Sequence, residues 1–200
     1  PPFGSRVLPG RDDVKILHLF SDWKWTGPSE PILNLCKELG KRGHHVRLAY
    51  QRPPSPNGES LERRVLAEKV EGTSQFHLDR SPKPYRPVFY RYCLSDIREI
   101  AGYLRREGFD ILNVHQSHDH ILGGIAAKMA DSPVVVVRTD HKRDPLSPGL
   151  GNRLLIPRLT DGMITFSERA KREDARHFGL PMERVCRIPA ALDLERFRSG

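Results

Sequence analysis

The sequence predicts an α/β fold built on a doubly wound parallel sheet of about seven strands. Short apolar runs rich in β-branched residues alternate with helix-length amphipathic segments along the chain, and parallel neighbours need such crossover helices. The runs are apolar at consecutive rather than alternate positions, as strands buried on both faces are. Two of them end in polar clusters. Phe109-Asp110-Ile111-Leu112-Asn113-Val114 leads into His115, His118 and His120, and Pro133-Val134-Val135-Val136-Val137 leads into Arg138-Thr139-Asp140-His141. In an open parallel sheet ligands bind in the crevice beyond the carboxyl ends of the strands, so these clusters mark the candidate site.

Each element has its own signal. Val14 to Phe20 is a strand that stops at Ser21-Asp22, and Trp23 to Gly27 is a loop. Pro28 to Arg42 is a helix: proline suits its first turn, Ile32, Leu35, Cys36 and Leu39 make one apolar stripe, and Gly43 ends it. His45 to Tyr50 is the second strand, Arg52 to Gly58 a proline-rich loop, and Glu59 to Val70 a second helix. Gln75 to Leu78 reads as a weak third strand, followed by a connection from Asp79 to Pro87 that carries three prolines. A long helix from Val88 to Arg106 passes through Gly108 into the strand Asp110 to Val114. A helix from Asp119 to Ala130 then returns to the strand Val134 to Val137. Asp140 to Gly151 is a loop, Asn152 to Leu159 a short helix and Gly162 to Phe166 a strand. Ser167 caps a helix reaching Phe178, and Arg184 to Ile188 is the last strand.

Composition narrows the function classes. A chain of 200 residues buries enough surface, roughly 70% of the unfolded total, to fold as one domain without disulfides. The three cysteines, Cys36, Cys93 and Cys186, are odd in number and widely spaced, and read as thiols packed in or near the core of a cytosolic protein. No apolar run approaches the ~20 residues that span a bilayer, and Pro1 to Asp13 has no signal-peptide pattern, so a cytoplasmic location is expected. The net charge of +8 favours anionic partners. Basic doublets such as Lys41-Arg42 and Arg105-Arg106 fall at helix ends, where they complement the helix dipole, and none is interleaved with aromatics as a nucleic-acid platform would be. No nucleic-acid partner is expected, whereas the basic surface suits peripheral contact with the inner face of a cell membrane.

Gly27 lies between the first strand and first helix, where a residue without Cβ lets a phosphate approach helical N–H groups, or simply makes a tight turn. A lone glycine is not the GxGxxG dinucleotide fingerprint. The run His115-Gln116-Ser117-His118-Asp119-His120 has the composition of a zinc site but the wrong spacing, HxxHDH against the hydrolase pattern HxHxDH, so no metal is expected. His118 or Asp119 is expected to cap the following helix. His115, first after a buried strand, is either a satisfied structural histidine or a group pointing into the crevice with a pKa free to shift around neutrality. Arg138 and His141 bring donors to the same volume, suiting an anionic or hydroxyl-rich ligand such as a sugar phosphate. No GxSxG elbow is present, and Ser117 and Ser167 read as loop and cap residues.

Val14-Lys15-Ile16-Leu17-His18-Leu19, the Gly27 loop and Leu33 to Gly43-His44 resemble the opening of GT-B glycosyltransferases of family 4. Asp110 to Asp119 and Val137-Arg138-Thr139-Asp140-His141 are similar to that family's post-strand histidine and R-T-x-H segments. Val185-Cys186-Arg187-Ile188-Pro189 through Asp193-Leu194-Glu195-Arg196-Phe197 resembles its IPNGVDxxxF exit. The resemblance implies a Rossmann-like N-terminal half of a GT-B fold over residues 14–197, preceded by a leader over 1–13, that binds the acceptor. It implies that the C-terminal donor-binding domain is absent and that the isolated fragment is inactive.

The expected activity is retaining glycosyl transfer from a nucleotide sugar to a lipopolysaccharide or other cell-envelope glycan, with no metal or other cofactor. By resemblance, Gly27 meets the donor diphosphate, His115 polarises or orients the reacting groups, and Ser117, His118, Arg138 and His141 face the acceptor. Three segments depart from the family pattern. Pro28 replaces a second glycine and removes one N–H from the phosphate cradle, Ala190-Ala191 replaces Asn-Gly, and Asn113 stands where many members carry a first histidine. Two other classes share the fold: a sugar- or phosphosugar-binding module without catalysis, and a GT-B-type epimerase, which would require a set of carboxylates in the cleft.

Overall fold

The computed structural model describes residues 13–55, 58–80, 87–131 and 133–189. The leader, parts of the two proline-rich loops, Ala190-Ala191 and the Asp193–Phe197 exit lie outside the described residues.

Seven strands form one sheet, and every pairing in it is parallel. They are β1 (Lys15–Phe20), β2 (His45–Tyr50), β3 (Gly72–Thr73), β4 (Ile111–Val114), β5 (Val135–Thr139), β6 (Gly162–Thr165) and β7 (Val185–Arg187). The helices are α1 (Ser29–Lys41), α2 (Leu61–Ala67), α3 (Pro87–Glu107), α4 (Ser117–Met129), α5 (Leu150–Leu159) and α6 (Glu168–Phe178). The spatial order is β3-β2-β1-β4-β5-β6-β7, so the winding reverses between β1 and β4. The doubly wound sheet expected from the sequence is therefore the observed one, and its switch point lies beyond the ends of β1 and β4.

Alternate residues of β1 serve two cores. Leu17 and Leu19 pack with Ile100, Leu104, Leu122 and Ala126 of α3 and α4. Ile16 and Phe20 pack with Ile32, Leu33 and Cys36 of α1 and with Leu61 and Val65 of α2. His18 lies between Ile16 and Phe20 and therefore on the α1 face. A smaller cluster of Leu146, Ile156, Met163, Phe178 and Val185 completes the sheet beyond β6.

Three sequence expectations are corrected. The third strand is Gly72–Thr73, paired with Leu48 and Ala49, not Gln75–Leu78. Phe76 and Leu78 are buried as the strand reading required, but the His77 and Leu78 amides donate to the Asp96 carboxylate at 2.8 and 2.9 Å, and Leu78 has φ +47°. A side chain, not a neighbouring strand, takes those hydrogen bonds. Helix α4 starts two residues early: its N-cap is Gln116, neither His118 nor Asp119. Cys36 is buried, but Cys93 is only half-buried and Cys186 is exposed near the end of the sheet, so the thiols are not uniformly core residues. The Ser167 cap is as expected, with its Oγ accepting from the Ala170 amide at 3.0 Å.

Helix α4 is held close to α5 by Gly124, where a Cβ would stand 2.7 Å from the Leu159 Cβ. Leu159 cannot yield at its Cβ without moving α5. Gly124→Ala is expected to lower unfolding free energy by about 1–2 kcal/mol, the overpacking exceeding the gain in helix propensity. A urea midpoint at or above that of the parent chain would contradict this packing.

Candidate functional site

The turn from β1 to α1 is fixed from below. Ser29 is fully buried; its Oγ accepts from the Thr26 amide at 3.1 Å and donates to the Lys24 carbonyl at 3.0 Å. Gly27 sits exposed on top of this turn with nothing within 4 Å of where a Cβ would be, and its φ is not in the left-handed region. The turn does not need glycine for its conformation, and open space lies in front of the backbone.

Asp119 joins the turns that follow β1 and β4. Its Oδ1 accepts from the Ser21 amide at 2.8 Å and from the Ser21 hydroxyl, and its Oδ2 accepts from the Gln116 amide at 2.9 Å. It is the third residue of α4, where a carboxylate also favours the positive end of the helix. Burial nevertheless outweighs these hydrogen bonds and pushes its pKa up to about 6.

The histidines of the sequence cluster part company. His120 turns into the fold and its Nε2 lies 2.7 Å from the Thr160 hydroxyl. His118 is half-buried against the Phe89 ring, 6.0 Å between centroids. His115 is 5% exposed and makes two imidazole contacts, Nε2 to His18 Nδ1 at 3.0 Å and Nδ1 to His141 Nε2 at 2.9 Å. Three rings from β1, the β4 end and the β5 end thus form one chain. Burial, with the neighbouring rings adding to it for His18 and His115, lowers all three: His18 and His141 to about 4, His115 well below its ordinary value. They are neutral at physiological pH.

Sequence reasoning singled out His115 and His141 but not His18. The available signal was a polar residue inside an otherwise apolar strand; its partner lies 97 positions away. The three rings border a cavity of about 300 Å3 whose other walls include Ile32 and Leu35 of α1 and Phe166 after β6. Asn113, expected to depart from the histidine pattern, faces the same cavity and accepts from the Thr139 hydroxyl at 2.9 Å.

Arg138 is 3% exposed and donates through Nη2 to Ser117 Oγ at 3.2 Å. Its Nε and Nη1 have no hydrogen-bond partner among the described residues. Burial lowers its pKa, opposed by the charges of Asp140, Asp119 and Asp174. Asp140 and Asp174 are buried and raised by burial, Asp174 to about 6, and sequence reasoning had no means of placing Asp174 of α6 beside β5. Arg138 meets Ser117 and His141 joins His115, but Arg138 and His141 do not share one volume as the sequence suggested. Arg138 alternates with Val137 and Thr139 and lies with Val136 on the α4 face of β5, whereas His141 borders the cavity on the other face, and His118 lies on the α3 side of the α4 start.

Among the described residues no group of three or more His, Cys, Asp and Glu side chains is arranged to hold a metal ion. The linked imidazoles point their nitrogens at each other instead of converging on one point. No helix of the described residues is long and apolar enough to cross a membrane.

A sequence profile described as Glycosyltransferase Family 4 matches residues 26–196. No curated protein sequence matches the chain. A glycosyltransferase from Rickettsia africae is similar in structure at a TM-score of 0.68 and 12% identity, covering 94% of this chain and 45% of its own. Anabaena HepE, solved with UDP and glucose, superposes at a TM-score of 0.64 with 16% identity, over 91% of this chain and 46% of that one. The lipopolysaccharide outer core galactosyltransferase WaaB aligns at a TM-score of 0.64 with 11% identity, over 86% of this chain and 44% of that one. The chain thus spans less than half the length of these proteins.

Proposed function

The chain belongs to Glycosyltransferase Family 4, and we propose that it is the acceptor-binding half of a retaining, nucleotide-sugar-dependent glycosyltransferase that builds lipopolysaccharide or another cell-envelope glycan. The observation that carries this reading is the cavity beyond the ends of β1, β4 and β5 that the linked rings of His18, His115 and His141 border, beside the open turn at Gly27 that follows β1. Ligands of doubly wound sheets bind at that place. The UDP and glucose held by HepE, and the likeness to the lipopolysaccharide outer core galactosyltransferase WaaB, support a nucleotide-sugar donor and an envelope acceptor.

In this reading the donor is held mainly by a C-terminal domain, and the open backbone at Gly27 meets its diphosphate across the cleft, with Pro28 contributing no N–H. His115 has both nitrogens engaged, so it orients rather than touches: the partly exposed His141 is the ring that meets an acceptor hydroxyl. Arg138 and Ser117 hold acceptor oxygens, with His118 on their flank. Rate enhancement comes from positioning and from stabilising the leaving phosphate, and no metal enters. The work is cytoplasmic, with the net charge of +8 drawing the protein to an acidic membrane surface.

The test is transfer by the full-length protein. His115→Ala is expected to lower kcat on the order of 10²-fold, the scale for losing one preorganised group, while the 200-residue chain alone turns over no nucleotide sugar. Turnover by that chain alone would overturn the division of labour. A second reading is a nucleotide-sugar epimerase, suggested by shared fold alone: it would require a set of carboxylates in the cleft, and the buried Asp119, Asp140 and Asp174 do not border the cavity. The UDP-N-acetylglucosamine 2-epimerase of Rickettsia bellii shares the fold, at a TM-score of 0.58 and 16% identity over 92% of this chain and 47% of that one. An epimerase consumes its nucleotide sugar without any acceptor, so omission of the acceptor separates the two.

A further inference from the structure

The role of His18 is not explained by packing. The residues either side of it on the same face of β1, Ile16 and Phe20, are apolar, and a buried imidazole without a partner is unfavourable by comparison with an apolar residue of that volume. The position instead begins a line of three rings whose ends both lack a hydrogen-bond partner among the described residues, His18 Nε2 at one end and His141 Nδ1 at the other.

Counting hydrogens on that line gives a constraint. Three neutral imidazoles carry three N–H hydrogens, and the two ring-to-ring contacts each hold one. The third must sit at one free end. In one arrangement His18 Nδ1–H donates to His115 Nε2, His115 Nδ1–H donates to His141 Nε2, and His141 Nδ1 carries the remaining hydrogen. In the other, His141 Nε2–H donates to His115 Nδ1, His115 Nε2–H donates to His18 Nδ1, and His18 Nε2 carries it. Interconversion moves one hydrogen across each contact, takes one proton up at one end and releases one at the other, leaving the total at three. All three rings are therefore Nδ1–H tautomers together or Nε2–H tautomers together.

We propose that His18 is a positioning residue: through His115 it sets which nitrogen of His141 bears hydrogen, so that the three rings form one tautomer relay from the sheet interior to the crevice. With its Nδ1 protonated, His141 is a donor for a ligand oxygen; with it bare, His141 is an acceptor for a ligand hydroxyl. That the ligand is a glycosyl acceptor rests on the reading above, but the relay does not.

The test uses the 200-residue chain labelled with 15N in its histidines and long-range 1H–15N spectra at pH 7.5, with no sugar present. His18, His115 and His141 are expected to show one common tautomer ratio. In His18→Phe, which keeps a ring and removes both nitrogens, the ratio at His141 is expected to change by roughly threefold or more, the scale of one hydrogen bond, although both hydrogen bonds of the line run through His115 and neither joins His141 to residue 18 directly. His18→Asn places an amide where Nδ1 stands and restores the parent ratio. If His18→Phe loses the dispersed amide spectrum of a folded chain, His141→Asn reads the relay from the other end, as a changed ratio at His18.

Mixed tautomers among the three rings, or a far ring unmoved in the folded variants, would overturn the relay. In full-length enzyme, His18→Phe should lower kcat while leaving the donor KM unchanged, with His18→Asn recovering it. Coupled spectra in a protein that transfers no sugar would leave the relay standing and overturn the glycosyltransferase reading instead.

Discussion

Asp119→Ala is expected to lower the unfolding free energy of the chain by about 3 kcal/mol, because it strands a buried backbone amide, a half-buried one and a buried hydroxyl together. Those groups belong to Ser21 and Gln116, at the ends of the two strands that flank the switch point, and Asp119 itself is fully buried. An unsatisfied buried donor retains its full desolvation penalty, so the loss exceeds that of one ordinary hydrogen bond. Ser21→Ala removes only the hydroxyl and should lower stability by about 1 kcal/mol. Asp119→Asn should fall between them: it keeps one acceptor oxygen but turns an NH₂ toward one of the amides. Urea midpoints of the three variants check the order. Equal midpoints for Asp119→Ala and Ser21→Ala would mean that the backbone amides find other partners, and that the two turns are not pinned by this carboxylate.

The same residue shows what the sequence disclosed and what it withheld. Strand runs such as Val134–Val137 and caps such as Ser167 are local: their physics is contained in a few neighbouring residues, and the order of elements follows from them. Asp119 was legible as a helix-start residue, because a carboxylate near a helix N-terminus is a local pattern, but its bond to Ser21 spans 98 positions. The third strand failed for the same reason. Gln75–Leu78 has the apolar content of a strand, yet Asp96, on a helix 19 residues beyond His77, captures the amides that would have paired.

The candidate site divides along the same line. His115, Arg138 and His141 stand at strand ends, which is a property of sequence order once a parallel sheet is inferred. His18 stands inside a strand and acquires its meaning only from register, which places it opposite Asn113 and next to the turn that carries His115. Asp174 comes within the field of Arg138 only because α6 packs back on β6 and β7. Pairing and packing, not residue type, assemble the polar part of the crevice.

Collecting so many polar groups out of water has a pH signature, and the chain is expected to lose stability steeply between pH 6.5 and 4. His18 and His141 are held to about 4 by burial, His120 to about 3 by burial and by Arg138, and His115 well below its ordinary value. Unfolding returns all of them toward about 6.5, so across this window the unfolded chain binds protons that the folded chain refuses. The stability contributed by the neutral rings is complete above pH 6.5 and is lost as the pH falls through the window. Asp119 and Asp174, both raised to about 6, act in the opposite sense: the folded chain holds their protons between about 6 and 4, which favours folding as the pH falls. His118, also lowered, adds to the uptake, whereas Asp96 and Asp140, also raised, subtract from it, so the strongly shifted rings leave a net uptake of about one to two protons on unfolding near pH 5 and a slope of about 1–3 kcal/mol per pH unit. A domain of ordinary stability, about 5–15 kcal/mol, reaches unfolding within a few units of such a slope. Urea midpoints from pH 7.5 to 4.5 measure it, and His120→Gln should remove about one proton from the uptake while leaving the three linked rings in place. A midpoint that does not move between pH 6.5 and 4.5 would mean that the rings carry charge in the folded chain, and the line of neutral imidazoles at the switch point would have to be abandoned.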